Sequence, residues 1–500
     1  VFETAELGHA TSQEEYVRSE PALRVGLLTV QYELRDADFP VVLVLAGTDR
    51  LGCVEVMNLL HEWMDARYLE ANVFEAASDE ERARPRFWRY WRSLPASGRI
   101  GIYHREWTTR AILDRLQNAI DDRELEERIR NIEQFERALT ADGAVVLKFW
   151  LHLSRPALEA RLEAAAKHRK TAWEVTKSDR LLYRHYDRVY ALAEHVLRRT
   201  SSGAALWNVI ESADWRYRNV TVAQFVIQTL TKRLAEPPRD RSSGAKGRAR
   251  IANPLTVLDQ VDLTLTLGKV EYERQMAQTW AKLARLSRKA HRKGLTAVLL
   301  FEGWDAAGKG GAIRRLTRAL DAAHYRVVPV GPPTEEERTH HYLWRFWNRL
   351  PGAGHWLLFD RSWYGRVLVE RLEGLAAEDE WRRAYAEIND FEELLVQHGI
   401  LLLKFWIHIS PKEQLARFKA RKGVPFKKYK ITADDYRNRD RWNEYELAAD
   451  EMVQRTSTDA ARWHLVAGND KRWARVQILQ IVCREVRKAL DRRSSGRRRR

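Results

Sequence analysis

The chain carries one sequence pattern twice, and this duplication limits its fold more than any other feature. Residues 296–313 read TAVLLFEGWDAAGKGGAI and residues 40–57 read PVVLVLAGTDRLGCVEVM. Gly303 answers to Gly47 and Gly308 to Gly52, an offset of 256 in each case. The same offset relates Leu350-Pro351 to Leu94-Pro95, Leu403–Trp406 to Leu147–Trp150, Trp463 to Trp207, and Glu271-Tyr272 to Glu15-Tyr16. Solenoid repeats run to about 20–50 residues, so this period marks duplication of a whole domain. Each copy has the roughly 200 residues a domain needs for its own core. The spacing predicts domains over 12–236 and 254–490. Residues 237–253, rich in Pro, Ser, Gly and charge, read as a flexible linker, and 491–500 as a basic disordered tail.

Composition narrows the setting. No apolar run approaches the roughly 20 residues of a membrane span, and no signal-peptide pattern opens the chain. Cys53 and Cys483 occupy unmatched positions of the repeat, so neither a disulfide framework nor a Cys-rich metal site is expected, and a cytoplasmic location fits best. The net charge of +17 calls for an acidic partner, which opens a nucleic-acid reading. Part of that excess belongs to the linker around Arg239–Arg250 and to the tail Arg497–Arg500.

Residues 296–301 predict a short buried parallel strand, followed by a Gly-rich loop and a helix from Ala312. Strand, glycine loop and helix make the context of a phosphate loop. The cradle comprises Gly303, Ala306, Ala307 and Gly308, with Lys309, Gly310 and Gly311 opening the helix. Glycines let backbone N–H groups curl around phosphate, and the helix N-terminus adds partial positive charge. Lys309 is placed to bridge phosphoryl oxygens. The hydroxyl residue that usually follows such a lysine is Gly310, and an acid, Asp305, sits inside the loop. A carboxylate beside phosphate repels it unless a cation intervenes, so Asp305 reads as a metal contact; the alternative is that it caps the following helix.

Trp356–Phe359 predict another buried strand, with Asp360 at its C-terminal end, where ligands of doubly wound sheets bind. Asp305 and Asp360 then face one cleft and hold a divalent cation, while Arg361 and Arg366 neutralise phosphoryl oxygens. In the first copy Cys53 stands for Lys309 and His104 for Asp360, although Asp49 and Arg105 are retained. Residues 412–430 hold eight Lys/Arg and one acid, against four and three in 156–174, a charge density suited to a polyanion with regularly spaced charges. Arg437, Arg439 and Arg441 extend that basic surface. The aromatic run 340–350 reads as core, since its pattern persists in 85–94, and His340 and His341 do not read as metal ligands.

Together these motifs resemble the polyphosphate kinase 2 family. The match rests on GWDAAGKGG (303–311), PPTEEERTHHYLWRFW (332–347), FDRSWYGRVLVERL (359–372), LLLKFWIHIS (401–410), the stretch Phe418–Trp442 and NDKRWARV (469–476). It covers nearly all of 268–490, and the first half resembles a degenerate member that departs at Cys53, His104 and the basic run. The resemblance implies an α/β fold: two tandem P-loop kinase-like α/β/α domains, each a parallel sheet flanked by helices, with a helical lid. It implies Mg²⁺, with Mn²⁺ as a substitute, held by Asp305 and Asp360. Asp305, Lys309, Asp360 and Arg361 become the catalytic set. Phosphate contacts fall to Arg366, Arg417, Arg421, Lys422, Lys427, Lys428 and Lys430, and nucleotide contacts to Glu370, Arg437, Asn469 and Lys471.

The expected activity is transfer of the terminal phosphoryl group of inorganic polyphosphate to AMP, giving ADP, as in the two-domain class II members. Three alternatives stay open on sequence: ADP or GDP as acceptor, an ATP-dependent nucleotide kinase, and a nucleic-acid-binding P-loop protein. The expected partners are polyphosphate and AMP/ADP in a homo-oligomer, with neither membrane nor nucleic acid.

Overall fold

The protein is described here by a computed structural model covering residues 1–167, 171–237, 256–422 and 433–496. Residues 238–253 of the expected linker and 497–500 of the expected tail lie outside the described residues, as do 168–170, 254–255 and 423–432, whereas 491–496, expected as disordered tail, continue the helix Lys471–Gly496. Two five-stranded sheets are present. In the first, β1 (Val41–Gly47), β2 (Leu69–Val73), β3 (Ile100–His104), β4 (Val145–His152) and β5 (Trp207–Glu211) lie in the order β2-β3-β1-β4-β5. In the second, β6 (Ala297–Gly303), β7 (Tyr325–Pro329), β8 (Trp356–Asp360), β9 (Leu401–His408) and β10 (Trp463–Ala467) repeat it as β7-β8-β6-β9-β10. Every pairing is parallel and helices join the strands, so both sheets have the α/β architecture expected.

The central strands explain themselves. Every residue of β6 is buried, as continuous apolar runs of parallel strands require. β6 pairs with β8 on one side and β9 on the other, so the loops that follow these strands emerge side by side where the strand order reverses. Gly303 ends β6 with φ 138°, and a Cβ there would lie 2.4 Å from the Ile407 carbonyl oxygen. Gly47 ends β1 with φ 147° and meets the Leu151 carbonyl in the same way. Glycine is therefore kept at both positions by close packing of neighbouring strands, in a site with a lysine and in one without.

Positions identical in both copies form the scaffold. Lys404, fully buried on β9, donates to Glu392 Oε2 at 2.7 Å and to the Thr456 carbonyl at 2.6 Å. Lys148 repeats this with Glu136 Oε2 at 2.6 Å and the Thr200 carbonyl at 2.7 Å. The indoles of Trp463 and Trp207 each donate to those threonines' hydroxyls at 2.9 Å. A buried charge needs such full pairing, so the basic residue of the Leu-Lys-Phe-Trp run has a structural role. Phe346, Trp347 and Leu350 are buried, as the aromatic run predicted.

The chain divides into two compact units, and neither is a contiguous half. One comprises Val1–Ala77, Arg89–Arg239 and Thr334–Trp344; the other comprises Ser78–Trp88, Asp240–Pro333 and Arg345–Arg500. The inserted stretches 78–88 and 334–344 are counterparts under the repeat offset. Within the first unit His341 packs edge-on against Trp91 and Ser97 N–H donates to the Thr339 carbonyl; within the second Arg84 Nε donates to the Leu350 carbonyl. Among the described residues no helix is long and apolar enough to cross a membrane.

His408, the last residue of β9, fixes the start of the loop after β6. Its Nδ1 accepts the Trp304 indole N–H at 3.2 Å, with the Trp406 indole 3.4 Å away. Accepting requires a neutral ring, and burial pushes its pKa down from 6.5 to about 4. The folded state thus resists a proton that the unfolded chain accepts below pH 6.5, so this contribution is complete above that pH and is lost as pH falls toward 4. We predict a loss of about 3 kcal/mol of unfolding free energy between pH 6.5 and 4 from this group, measured by urea denaturation. His408→Asn, whose amide oxygen can still accept, should flatten the profile over that range.

Candidate functional site

The loop between β6 and the helix Lys309–Thr317 is open. That helix begins at Lys309, with Gly308 at its cap in a left-handed conformation (φ 117°) and no side chain capping it. Ala306 is also left-handed, at φ 62°. Left-handed residues alternating with right-handed ones turn successive N–H groups toward one point, an anion-binding concavity. The first-turn amides of Lys309, Gly310 and Gly311 have no helical acceptor, so they are available there. Nothing lies within 4 Å of a Cβ built on Gly308, and one built on Gly310 would sit 3.5 Å from Asp360 Oδ2. The Asp360 carboxylate therefore stands at the entrance to the helix, at the end of β8, as predicted.

Two acids and two cations surround the concavity. Asp305 accepts Arg361 Nη2 on Oδ1 at 2.8 Å and Asn438 Nδ2 on Oδ2 at 3.0 Å. It caps no helix, so the capping alternative fails for Asp305. Arg361 is itself left-handed, at φ 65°, and its N–H donates to the Phe301 carbonyl at 3.1 Å. Its counterpart Arg105 is left-handed too, at φ 57°, so this turn belongs to the shared scaffold and only the guanidinium's partner differs. Lys309 Nζ folds back onto the carbonyls of Gly303 (2.6 Å) and Trp304 (3.2 Å). Burial, and then the neighbouring Arg361 charge, lower the pKa of this ammonium.

The remaining predicted residues divide. Arg417, read as a phosphate contact, is buried and donates to the carbonyls of Ala306 (3.0 Å), Ala307 (2.7 Å), Gly468 (2.6 Å) and Asn469 (2.9 Å), and to Glu413. It braces the outside of the loop. Arg366 pairs with Glu370 at 3.3 Å and Glu380 at 3.5 Å, which ties up the predicted nucleotide contact Glu370. Arg437 faces Glu373, and Asn469 Oδ1 accepts the Ser410 N–H. Lys471 opens the helix Lys471–Gly496 beside Arg417, Arg421 and Arg475, a cationic group adjoining the loop. The side chain of Lys422, and Lys427, Lys428 and Lys430 entirely, lie outside the described residues.

Sequence reasoning missed an aromatic shelf and its polar neighbour. Trp304 is buried and stacks on Trp442 at 3.5 Å with 9° between rings, and Tyr445 lies 5.3 Å from it. Asn438, which holds Asp305, approaches from the helix Ala433–Asp440. The repeat carried a signal: Trp304, Asn438 and Trp442 answer to Thr48, Leu182 and Tyr186.

The first copy shows what the same loop becomes without these partners. Its helix starts at Arg50, and Asp49 caps it, accepting the Gly52 N–H at 2.9 Å. The Asp49 carboxylate also takes the Ser212 hydroxyl at 2.5 Å and faces Arg218 Nη1 at 3.4 Å, with both charged groups only 1% exposed. A Cβ on Gly52 would fall 2.0 Å from Asp49 Oδ2. An internal carboxylate thus fills the place of an anion, and Arg218, bound also to Glu55, seals it. Cys53 is fully buried, and His104 Nδ1–H donates to the Leu45 carbonyl. No left-handed residue remains between Gly47 and the helix.

Comparison with known proteins agrees with this geometry. The family model described as polyphosphate kinase 2 matches the chain twice, over residues 10–238 and 266–494. A protein of Pseudomonas syringae pv. tomato named polyphosphate:AMP phosphotransferase is 42% identical over 98% of this chain and 99% of its own length. One of the same name from Pseudomonas aeruginosa is 45% identical over 96% and 98%. A crystal structure of a Pseudomonas aeruginosa PA01 protein described as a polyphosphate kinase 2 superposes with a TM-score of 0.88 at 43% identity, covering 98% of this chain and 99% of that one.

The two equivalent aspartates should separate stability from turnover. Asp49→Ala removes one of the two carboxylates that pair with buried Arg218, together with the helix cap, and should cost about 3 kcal/mol of unfolding free energy while turnover stays within about twofold. Asp305→Ala should do the reverse, lowering turnover by about 100-fold or more with stability changed by about 1 kcal/mol. Denaturant titration and steady-state kinetics on both variants check this.

Proposed function

The chain belongs to the polyphosphate kinase 2 family, and we propose that it transfers the terminal phosphoryl group of inorganic polyphosphate to AMP, giving ADP, with Mg²⁺ as its metal. The observation that carries this reading is the open loop with Lys309 and Arg361 at its mouth and Asp305 and Asp360 beside them, present in one copy alone. An oxygen of the AMP phosphate attacks the terminal phosphorus of the chain. The new P–O bond forms as the bridging P–O bond breaks, and its electron pair leaves on the shortened polyphosphate. The acceptor phosphate has a second pKa near 6 and is largely ionised at neutral pH, so no general base is needed. The work is positioning two polyanions and offsetting their repulsion.

The residues divide that work. The loop amides and Lys309 hold the transferring phosphoryl group. Arg361 can exchange its Asp305 partner for equatorial oxygens as charge spreads over them. Arg417 keeps the loop's carbonyls turned outward, leaving the amides to face the substrate. The cations around Lys471 adjoin the same loop and suit an extended polyanion.

Mg²⁺ suits the donor set. Among the described residues no group of three or more His, Cys, Asp or Glu could hold a metal alone. Mg²⁺ is commonly bound by one or two carboxylates with substrate phosphates and water completing its shell, and Asp305 and Asp360 supply the two carboxylates. When bound it neutralises phosphate charge and orients the chain end. Cys53 and Cys483 are free and buried, which supports a reducing, cytoplasmic setting.

We predict that the protein with polyphosphate, Mg²⁺ and AMP forms ADP, that chelating the metal stops it, and that Lys309→Ala lowers kcat by about 1,000-fold while Cys53→Ala leaves it unchanged. ³¹P NMR of the products checks this. ADP formed from ATP without polyphosphate at a comparable rate, or equal losses in the two variants, would contradict the reading.

A further inference from the structure

Glu302 has no part in the chemistry above, yet it is a carboxylate 4% exposed, one residue before the phosphate loop. Its Oε1 accepts the hydroxyl of Ser362, which is 2% exposed, at 2.8 Å. Ser362 follows Arg361, and its Oγ in turn accepts the Tyr364 N–H at 3.4 Å, capping the short helical turn Trp363–Arg366. β6 and β8 are neighbours, with Phe301 paired to Asp360. The ends of the two strands are thus fastened twice beyond the sheet, by Arg361 N–H to the Phe301 carbonyl and by Ser362 to Glu302. Between these fastenings lies the left-handed Arg361 whose guanidinium reaches Asp305.

The first copy lacks the second fastening. Ala46 answers to Glu302 and Glu106 to Ser362. Glu106 turns to its own helix, accepting the Thr109 N–H at 3.1 Å, and Arg105, although left-handed at φ 57°, reaches Glu75 instead of Asp49. The link therefore occurs with Lys309 and Asp360 and is missing where both are missing.

We propose that Glu302 is a positioning residue for phosphoryl transfer: through Ser362 it locks the turn carrying Asp360 and Arg361 to the strand that ends in the phosphate loop. The proposal rests on the transfer reaction proposed above. Loss of the lock leaves the substrates' binding groups in place but frees Arg361 from its catalytic geometry, and small misplacements of this kind cost large factors in rate.

The test compares Glu302→Ala, Glu302→Gln, Ser362→Ala and the double variant Glu302→Ala/Ser362→Ala with the wild type, using polyphosphate, Mg²⁺ and AMP. Glu302→Ala and Ser362→Ala should each lower kcat by about 10- to 100-fold with both KM values within about threefold. The double variant should be no slower than the worse single one, because both act through one bond. Glu302→Gln keeps an acceptor for Ser362 and should recover most of the rate. Multiplying losses in the double variant, or KM rising with kcat unchanged, would overturn the proposal. Crystal structures of the wild type and Glu302→Ala decide it independently of turnover: Arg361 should leave Asp305 in the variant, and an unmoved pair would overturn the lock. A wild type that forms no ADP would reject the reaction itself, while the position of Arg361 would still judge the lock.

Discussion

The contact between Arg361 and Asp305 is the interaction on which the site depends. A carboxylate three residues before a glycine at a helix start has a ready alternative, which is to accept that residue's N–H and cap the helix. Asp49 takes this alternative in the first copy, and its helix winds back to Arg50. Asp305 is drawn away by Arg361 on one oxygen and Asn438 on the other, so its helix starts only at Lys309. The amides left between them form the concavity. One carboxylate thus decides between an open loop and a closed turn, according to the cations and amides within its reach.

The duplication separates scaffold from chemistry inside a single chain. Buried pairs such as Lys404–Glu392 and Lys148–Glu136, and glycines such as Gly303 and Gly47, recur because parallel strands at close approach demand them. Lys309, Asp360, Trp304, Glu302 and Ser362 do not recur, and they gather around one loop. In the first copy Arg218 and Arg50, which answer to Ala474 and Ala306, close that space with ion pairs to Asp49 and, at 2.7 Å, to Asp179. These pairs are internally satisfied, as charges buried away from water require.

Much of this was legible in the sequence. The strand–loop–helix order, the parallel sheets and the placement of Asp360 at a strand's end follow from apolar runs and glycines, which act locally. The helix cap open to Asp305 on sequence is the one that Asp49 forms in the other copy. The resemblance implies a phosphate contact for Arg417, but its partners are a neighbouring glutamate and carbonyls brought together by the fold. Trp442 against Trp304, Asn438 against Asp305 and Ser362 against Glu302 are contacts between residues from 60 to more than 130 positions apart, and no local pattern announces them. The same is true of the stretches 78–88 and 334–344, which each join the unit built mainly from the other half. The basic residues Lys427, Lys428 and Lys430 lie outside the described residues, so their reading rests on charge and on the family resemblance.

The geometry of the two loops assigns phosphate to one copy and an internal carboxylate to the other. Isothermal titration of the intact chain with a short polyphosphate and Mg²⁺ tests it most directly, because stoichiometry does not depend on turnover. One site per chain is expected, abolished by Lys309→Ala and unaffected by Asp49→Asn. Two equivalent sites, or one that survives Lys309→Ala and disappears with Asp49→Asn, would contradict it.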